Sequence, residues 1–273
     1  MSPMLDGFAA MDPICQTRLP HLPWLDPATA RLPGVQPLPP GEGWLMRDEA
    51  FGDQMALRDR LVAENRDAVI AALPGSEGAV AALYEAVLAV LADDPGYALG
   101  RDICRRPDGV DVALDPSDKL GTLARLVQED LCLMEPRGGE HVLSAAILCF
   151  PASWTLAEKI GRPLTGIHDP VAVYDARMAA RVQRLFDAVR VGQPLWRQNA
   201  LVYAQADLHQ PRREAAPRRE IRAEGRYLRS EKQCLVRLSS CDAVLFSIHT
   251  FVVPLGSLPP GALDHLPHRE PVT

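Results

Sequence analysis

Two strand-like segments lie close together near the C-terminal end of the chain. Residues 227–238 (YLRSEKQCLVRL) and 243–253 (AVLFSIHTFVV) are separated only by residues 239–242 (SSCD). Four residues with small side chains between two such segments predict a β-hairpin. In the second segment, the alternation of side chains along a strand places Leu245 and His249 on one face. The hairpin therefore predicts a sheet that is mostly antiparallel.

The first half of the chain has the spacing of helices instead. Apolar residues recur three and four positions apart, and they predict helices over 55–73, 77–92 and 115–130. The first helix is expected to end before Pro74, and the third to begin with Asp115 as its N-cap. Helices therefore dominate the chain up to about residue 130.

The pattern changes at His141. Residues 141–150 (HVLSAAILCF) predict a buried strand, and a short helix is expected over 154–160. A further amphipathic helix begins at Asp169 and ends near Gly192, and a strand is predicted over 197–205. Helices first, then strands interleaved with helices, is the order of an α+β fold.

The N-terminal region has a composition of its own. Residues 1–43 are rich in Pro and Gly, which predicts an extended arm that lies over the rest of the protein. Trp24, Leu25 and Trp44 are its expected anchors. Residues 44–273 are then expected to form a single α+β domain.

The charge of the chain bears on its partners. A formal net charge of -6 argues against nucleic acid, because such proteins need a basic surface that displaces counterions from phosphates. One basic cluster, Arg212 to Arg229, is interrupted by Glu214, Glu220 and Glu224. We interpret it as a solvated loop, with an anionic protein partner or a domain surface as the alternative.

The cysteines and the apolar segments indicate a compartment. No two of the six cysteines have C-x-x-C spacing, so the usual ligand patterns of structural zinc, iron–sulfur clusters and covalently attached haem are missing. Cys132 and Cys149 lie in apolar segments and are expected to be buried thiols. No signal peptide or membrane-length apolar segment is recognisable. We therefore expect a cytoplasmic protein without a membrane partner.

The common catalytic and nucleotide motifs do not occur in the sequence. G-x-G-x-x-G, G-x-x-x-x-G-K-[ST], H-E-x-x-H and G-x-S-x-G are all missing, so no flavin or nucleotide motif is recognised. The remaining candidates are single polar residues, most of them in the second half of the chain.

His168 is the first of these candidates. It directly precedes Asp169, the predicted N-cap of the amphipathic helix. Its imidazole can pack or cap there, or it can be a metal or haem ligand whose second ring nitrogen is held by Asp169. Pro163 and Pro170 bracket it and restrict the backbone, which favours the ligand role. His249 fits the packing of a core or the lining of a pocket equally well.

Two charged positions complete the set. Glu129 and Asp130 are expected to end the third helix, where acids oppose the helix dipole. They are either exposed beside basic neighbours, or they hold a cationic substrate or direct a proton. Arg197, next to Trp196, can pair with a carboxylate or with a haem propionate.

Several segments together resemble a known family. They are LVQEDLCLM, HVLSAAILCFPASWTLAEKIGRPLTGIHDPV, LHQP, YLRSEKQCLVRL and AVLFSIHTF, and they occur in the order found in haem-dependent oxidative N-demethylases. The resemblance extends from about Trp24 to Leu255. The segment from His141 to Val171 is its most specific part, because Ile-His-x-Pro and the other pieces stand at fixed separations.

The resemblance implies a PAS-like antiparallel sheet with flanking helices that encloses a b-type haem. It implies the use of O2 to remove a methyl group from a small secondary amine, with electrons from a separate flavin or iron–sulfur reductase. His168 then matches the axial iron ligand, with Arg197 and His249 as further haem-binding candidates. Glu129 and His209 match polar pieces of the family and are the catalytic candidates.

One departure bears on the ligand. His249 stands where the family pattern leads us to expect an arginine, so the ligand or the substrate can differ in this chain. Two other classes remain open. One is a haem or small-molecule sensor without catalysis, since PAS-like cores commonly bind ligands without turning them over. The other is a structural or assembly subunit. An absorption spectrum with a Soret band would exclude this last class.

Overall fold

The C-terminal hairpin forms the middle of a large sheet in the computed structural model, which describes residues 13–27, 29–30, 34–168, 176–216 and 225–266. The strands are β1 (Gln36–Pro37), β2 (Ile70–Ala72), β3 (Ala98–Leu99), β4 (Ile103–Arg105), β5 (Asp111–Ala113), β6 (Asp130–Arg137), β7 (Glu140–Ile147), β8 (Leu195–Tyr203), β9 (Tyr227–Arg237) and β10 (Val244–Pro254). The helices are α1 (Phe51–Glu64), α2 (Arg66–Val69), α3 (Glu77–Asp93), α4 (Lys119–Ala124), α5 (Leu156–Lys159), α6 (Leu164–His168) and α7 (Ala176–Ala188).

Seven strands form the main sheet, in the order β1-β8-β9-β10-β6-β7-β2, and every neighbouring pair is antiparallel. Strands β3, β4 and β5 form a second, small antiparallel sheet that the sequence pattern did not predict. The α+β class and the hairpin of β9 with β10 are confirmed. None of the helices in the described ranges is long and apolar enough to cross a membrane.

The two faces of the main sheet carry different layers. Residues directly opposite each other in an antiparallel ladder point to the same side of the sheet. We call one side the α7 face; across β8, β9 and β10 it carries Arg197, Gln233 and Ile248. We call the other side the arm face; at the adjacent register position it carries Gln198, Lys232 and His249.

Apolar packing covers both faces. On the arm face, Leu131, Leu133 and Ile147 pack in one core with residues of α1, α3 and α4. On the α7 face, Leu235 and Cys132 pack with residues of α5, α6 and α7. Sheets of this kind are buried on both sides because helices cover the two faces.

The predicted helix over 55–73 is wrong in its second half. Helix α1 ends at Glu64, α2 adds one turn, and residues 70–72 then form β2. Ile70 pairs with Ile147 of β7, so the backbone of this segment completes the edge of the sheet. Pairing with β7 outweighs the local helical spacing of these residues.

The predicted third helix is also wrong at both ends. Helix α4 begins at Lys119 with Asp118 as its N-cap, whose side chain accepts a hydrogen bond of 3.1 Å from the backbone NH of Gly121. The helix ends at Ala124, and Asp130 begins β6. Glu129 and Asp130 therefore do not oppose a helix dipole, and the apolar residues after them are a strand between β10 and β7.

The other predicted elements are found close to their expected bounds. The helix over 77–92 is α3, the strand over 141–150 is β7, the short helix is α5 and the strand over 197–205 is β8. The amphipathic helix is α7 from Ala176 to Ala188, and the predicted start at Asp169 lies outside the described residues. Cys132 and Cys149 are buried and free, as expected.

The arm lies along one edge of the sheet and over the arm face. Its strand β1 pairs with β8. The side chain of Trp24 is buried, and its Nε1 donates a 2.6 Å hydrogen bond to the carbonyl of Ala262. Trp44 packs against the main core, whereas Leu25 is 44% exposed and does not anchor the arm.

Candidate functional site

A buried histidine, His249 in the middle of β10, lies between two carboxylates on the arm face. Its Nδ1 is 3.0 Å from Oε1 of Glu129, and its Nε2 is 3.0 Å from Oδ2 of Asp48. All three side chains are buried. Because both ring nitrogens face carboxylate oxygens, the imidazole donates twice and is held as the imidazolium.

The pKa values of this group follow from the same contacts. Burial by itself lowers the pKa of His249, but the hydrogen bonds and charges of Asp48 and Glu129 outweigh it and raise the pKa to about 9. Burial alone would raise the pKa of Asp48. The hydrogen bond from His249 and the positive charge of His249 outweigh this effect, so the pKa of Asp48 is lowered. The histidine is therefore charged at neutral pH.

The cluster joins the arm to the sheet. Oε1 of Glu129 also accepts a 2.8 Å hydrogen bond from the backbone NH of Met46, and Asp48 accepts a 2.7 Å bond from Nε2 of Gln16. Glu129, a catalytic candidate from the sequence, is completely buried here. Its second oxygen, Oε2, has no hydrogen-bond partner among the described residues. The geometry of the cluster indicates a role in fixing the arm.

The α7 face carries a separate polar group. The guanidinium of Arg197 is largely buried, and this burial lowers its pKa although the charge of Glu231 works in the other direction. No described residue accepts a hydrogen bond from it, and its Nε is fully enclosed. An enclosed N–H of a cation without an acceptor costs free energy, so this position suits an anionic ligand.

Two register positions from Arg197, and therefore on the same face, Glu231 of β9 lies opposite Asn199 of β8. Oε2 of Glu231 accepts hydrogen bonds of 3.0 Å from Asn199 and from Gln233, and its backbone NH donates to Oδ1 of Asn199. Oε1 lies 3.5 Å from Nε of Arg229. The carboxylate is thus held in one orientation by groups of the sheet itself.

A cavity of about 200 Å³ opens above this part of the sheet. Glu231, Arg229 and Asn199 form its polar side. The rest of the lining is mostly apolar or aromatic and consists of Ala152, Trp154, Leu201 and Tyr203. A cavity that combines aromatic walls with a few oriented polar groups is the usual form of a small-molecule site.

The structure distributes the predicted site residues over several places. Glu129 and His249 meet on the arm face, and Arg197 lies on the opposite face. His168 ends α6, which packs through Leu164 on the α7 face. The ring of His209 is half buried, and its Nδ1 is 2.8 Å from the carbonyl oxygen of Cys149. Among the described contacts, Glu129 and His249 are the pair of predicted site residues that the structure brings together.

Two residues at these sites were not predicted. Asp48 lies just before the start of α1 and is far from His249 in sequence, so no local pattern identifies it. Glu231, in contrast, has a signal: Arg229, Glu231 and Gln233 are polar at alternate positions of a strand, which places three polar side chains on one face. Polar residues at alternate positions on a covered face of a sheet indicate a binding site.

A metal ion held by side chains alone needs several ligand residues close together. In the part of the chain that the structure describes, no group of three His, Cys, Asp or Glu residues is arranged to hold a metal ion. A metal carried by a prosthetic group needs fewer ligands from the protein, because the group itself supplies the others.

Comparison with protein families gives one match. A family model described as "Haem-dependent oxidative N-demethylase, alpha subunit-like" matches residues 34–262. The match covers both faces of the main sheet and most of the elements around it. The resemblance found on the sequence segments is therefore confirmed.

Proposed function

The chain belongs to the family of haem-dependent oxidative N-demethylase alpha-subunit-like proteins, and from this membership we propose that it binds a b-type haem on the α7 face. We further propose that it uses O2 to remove a methyl group from a small secondary amine. The observation that carries the haem site is the enclosed Nε of Arg197, which has no acceptor among the described residues.

The donors and surfaces of the α7 face fit such a group. Arg197 offers a cation for a propionate, and the apolar residues Leu195, Leu235 and Leu185 pack beside its strand. The volume fits less well. The cavity of about 200 Å³ is smaller than the roughly 300–1,000 Å³ of typical ligand sites. A macrocycle therefore needs space on this face beyond the cavity.

We assign the axial ligand to His168. It ends α6, whose residues Leu164 and Ile167 pack in the same apolar cluster as Leu195 and Leu235. The carbonyl of Ile167 is held by a 2.7 Å hydrogen bond from Nζ of Lys159, which fixes the end of this short helix. His168 and Arg197 thus belong to elements on one side of the sheet. When bound, haem supplies the iron at which O2 is reduced and the methyl group oxidised.

The remaining candidates have separate duties in this proposal. Glu129 and His249 lie across the sheet and hold the arm, so they do not contact the haem. His209 stays a candidate for proton transfer, because Gln210 beside it pairs with Ala152, a lining residue of the cavity. The PAS-like architecture that the family implies agrees with a ligand on a covered sheet face.

The reaction requires a source of electrons. For a dimethylamine-like substrate, the amine, O2, two electrons and two protons give the demethylated amine, formaldehyde and water. The two electrons must come from a donor. We propose a separate reductase that carries flavin or an iron–sulfur cluster, acting in the cytoplasm.

The experiment is a haem titration of the purified protein, followed by absorption of the Soret band. We expect Arg197→Gln to bind haem about tenfold more weakly than wild type, because a charge-assisted contact to a propionate is lost. We expect His168→Ala to shift the Soret band and to lose most of its haem. Arg190→Gln, which changes an exposed arginine after α7, is the control and keeps wild-type affinity.

His249→Ala decides between the two histidines. On our assignment it keeps a wild-type Soret band as long as the protein remains folded, which circular dichroism checks. The assignment of the axial ligand is reversed if His249→Ala loses haem and His168→Ala keeps it with an unchanged spectrum. A wild-type protein that takes up no haem at all contradicts the proposed function.

A further inference from the structure

We propose that Glu231 is the counter-ion of a small alkylammonium ligand, which the cavity above β8 and β9 holds against the ring of Trp154. The proposal rests on the proposed function, whose amine substrate it places, but it concerns a different residue and a different part of the α7 face. Glu231 is thus the residue that selects a positively charged amine.

The first step is the state of the Glu231 carboxylate. It is the one acid among the residues that line the cavity, and its side chain is 13% exposed. Asn199 and Gln233 both donate to Oε2, so the group cannot rotate without the loss of two hydrogen bonds. Oε1 accepts no hydrogen bond from any described residue. An oriented oxygen is therefore free to accept from a ligand.

The nearest cation does not satisfy that oxygen. Nε of Arg229 is 3.5 Å from Oε1 and makes no hydrogen bond among the described residues. The other two nitrogens of Arg229 donate to the carbonyls of Leu208 and Phe150, at 2.9 and 2.5 Å. The guanidinium is thus fixed by backbone groups and cannot turn towards the carboxylate.

The walls of the cavity suit an alkylated cation. Trp154 and Tyr203 present aromatic rings, and Leu201 and Ala152 add an apolar surface. Aromatic faces attract organic ammonium groups, most strongly where the cation is removed from water. Methyl groups on the nitrogen gain from the apolar walls, while its N–H groups need an acceptor. Glu231 supplies that acceptor.

The size of the space sets an upper limit on the ligand. About 200 Å³ accommodates a molecule of a few heavy atoms, and not a macrocycle. The haem of the proposed function therefore requires other space, next to Arg197, whereas the cavity at Glu231 is already large enough for a small amine.

The test is the binding of dimethylammonium chloride to the haem-loaded protein, measured by isothermal titration calorimetry at neutral pH. We expect Glu231→Gln, a substitution of equal size, to weaken binding by about tenfold or more with no change in haem content. The matched control is Glu135→Gln. Glu135 lies on β6, and like Glu231 it contacts an arginine two residues away on its own strand.

2-Propanol serves as the uncharged molecule of similar shape. We expect it to bind much more weakly than dimethylammonium to wild type, and equally weakly to both variants. Equal affinity of wild type and Glu231→Gln for dimethylammonium overturns the inference, as does equal affinity of wild type for the two ligands. A wild-type protein that binds haem but no dimethylammonium also overturns it.

The failure of the proposed function has a different signature. In that case wild type takes up no haem, and the same titration is carried out on the haem-free protein. Dimethylammonium binding that depends on Glu231 then upholds the inference by itself, and the absence of such dependence contradicts both.

Discussion

His249 shows how one cationic side chain can stand in place of another at a buried position. The family pattern led us to expect an arginine there, and the imidazolium supplies a cation of the same sign between Asp48 and Glu129. The difference is that an imidazolium can lose its proton in an accessible pH range, whereas a guanidinium cannot. The arm of this protein is therefore attached through a titratable group.

The pH dependence of stability follows from the directions in which the pKa values of His249 and Asp48 are shifted. The pKa of His249 is raised from 6.5 to about 9, so its contribution to stability is complete below pH 6.5 and is lost as the pH rises through 9. The pKa of Asp48 is lowered from 3.8, so its contribution is present above that value and is lost in acid. Both contributions are present between about pH 4 and pH 6.5.

We therefore expect the stability advantage of wild type over His249→Gln to shrink with rising pH. The difference in unfolding free energy should fall by roughly 3 kcal/mol between pH 6 and pH 10, as the charge of the histidine is lost. Urea denaturation at several pH values measures it. His265→Gln, at an exposed position, should follow wild type throughout. A difference that is constant with pH would show that His249 is neutral in the folded protein.

At the scale of elements, a buried arginine joins α1 to the start of β6. Arg58 is completely buried; its guanidinium donates to the carbonyls of Ala124, Gln128 and Glu129 and to Oδ1 of Asp130, the last at 2.8 Å. The carboxylate of Asp130 in turn accepts from two backbone NH groups after β7, at 2.7 and 2.8 Å. One ion pair thereby positions a helix, a strand start and a loop.

Loss of this arginine should be costly. We expect Arg58→Met to lower the unfolding free energy by roughly 3–5 kcal/mol, because Asp130 is left as a buried charge without its cation. Arg105→Met, which removes the exposed pair with Asp111, should change it by less than about 1 kcal/mol. Denaturant unfolding of the two variants compares them directly. Similar losses in both would contradict the role given to burial.

The elements also show what the sequence can predict. The hairpin and α3 were predictable because their segments have a clear periodicity over ten or more residues, with small polar or Pro and Gly residues at their ends. Strand β7 was predictable as a compact apolar segment that Pro151 ends. The segment 70–72 was not, since three apolar residues after a helix continue its spacing. Only their pairing with Ile147 and its neighbours makes them a strand.

The candidate site was predictable to a smaller degree. Arg197 was recognised from its type beside Trp196, and the structure encloses its Nε without an acceptor among the described residues. The contact of Asp48 with His249 joins positions that are 201 residues apart in sequence. That Arg197 and Glu129 lie on opposite faces of the sheet depends on the register of four strands. Register is set by the whole sheet, and local patterns do not contain it.

At the scale of the whole molecule, the arm and the region after β10 pack together. Trp24 shares a buried cluster with Val202 and Leu228 of the sheet and with Ala262 and Leu266 beyond β10. Gln16 also exchanges hydrogen bonds with the backbone of Val252 on β10, at 2.9 and 2.8 Å. The described residues of the arm are therefore part of the folded structure.

We expect Trp24→Ala to lower the unfolding free energy by about 3–5 kcal/mol, the usual cost of removing a large buried aromatic side chain. Protease cleavage within residues 13–50 should become faster at the same time. Leu25→Ala, at the adjacent exposed position, is the control and should change the free energy by less than about 0.5 kcal/mol. Arm cleavage at the same rate in both variants would show that the arm is held elsewhere.

The order of strands has a consequence for how the protein is made. The two outer strands of the main sheet, β1 and β2, come earliest in the chain, whereas β9 and β10, which lie inside it, come last. On the ribosome, the first hundred residues therefore emerge before the strands on which they will rest. The sheet cannot close until β10 has been synthesised, and until then the apolar segments of the earlier strands lack their neighbours.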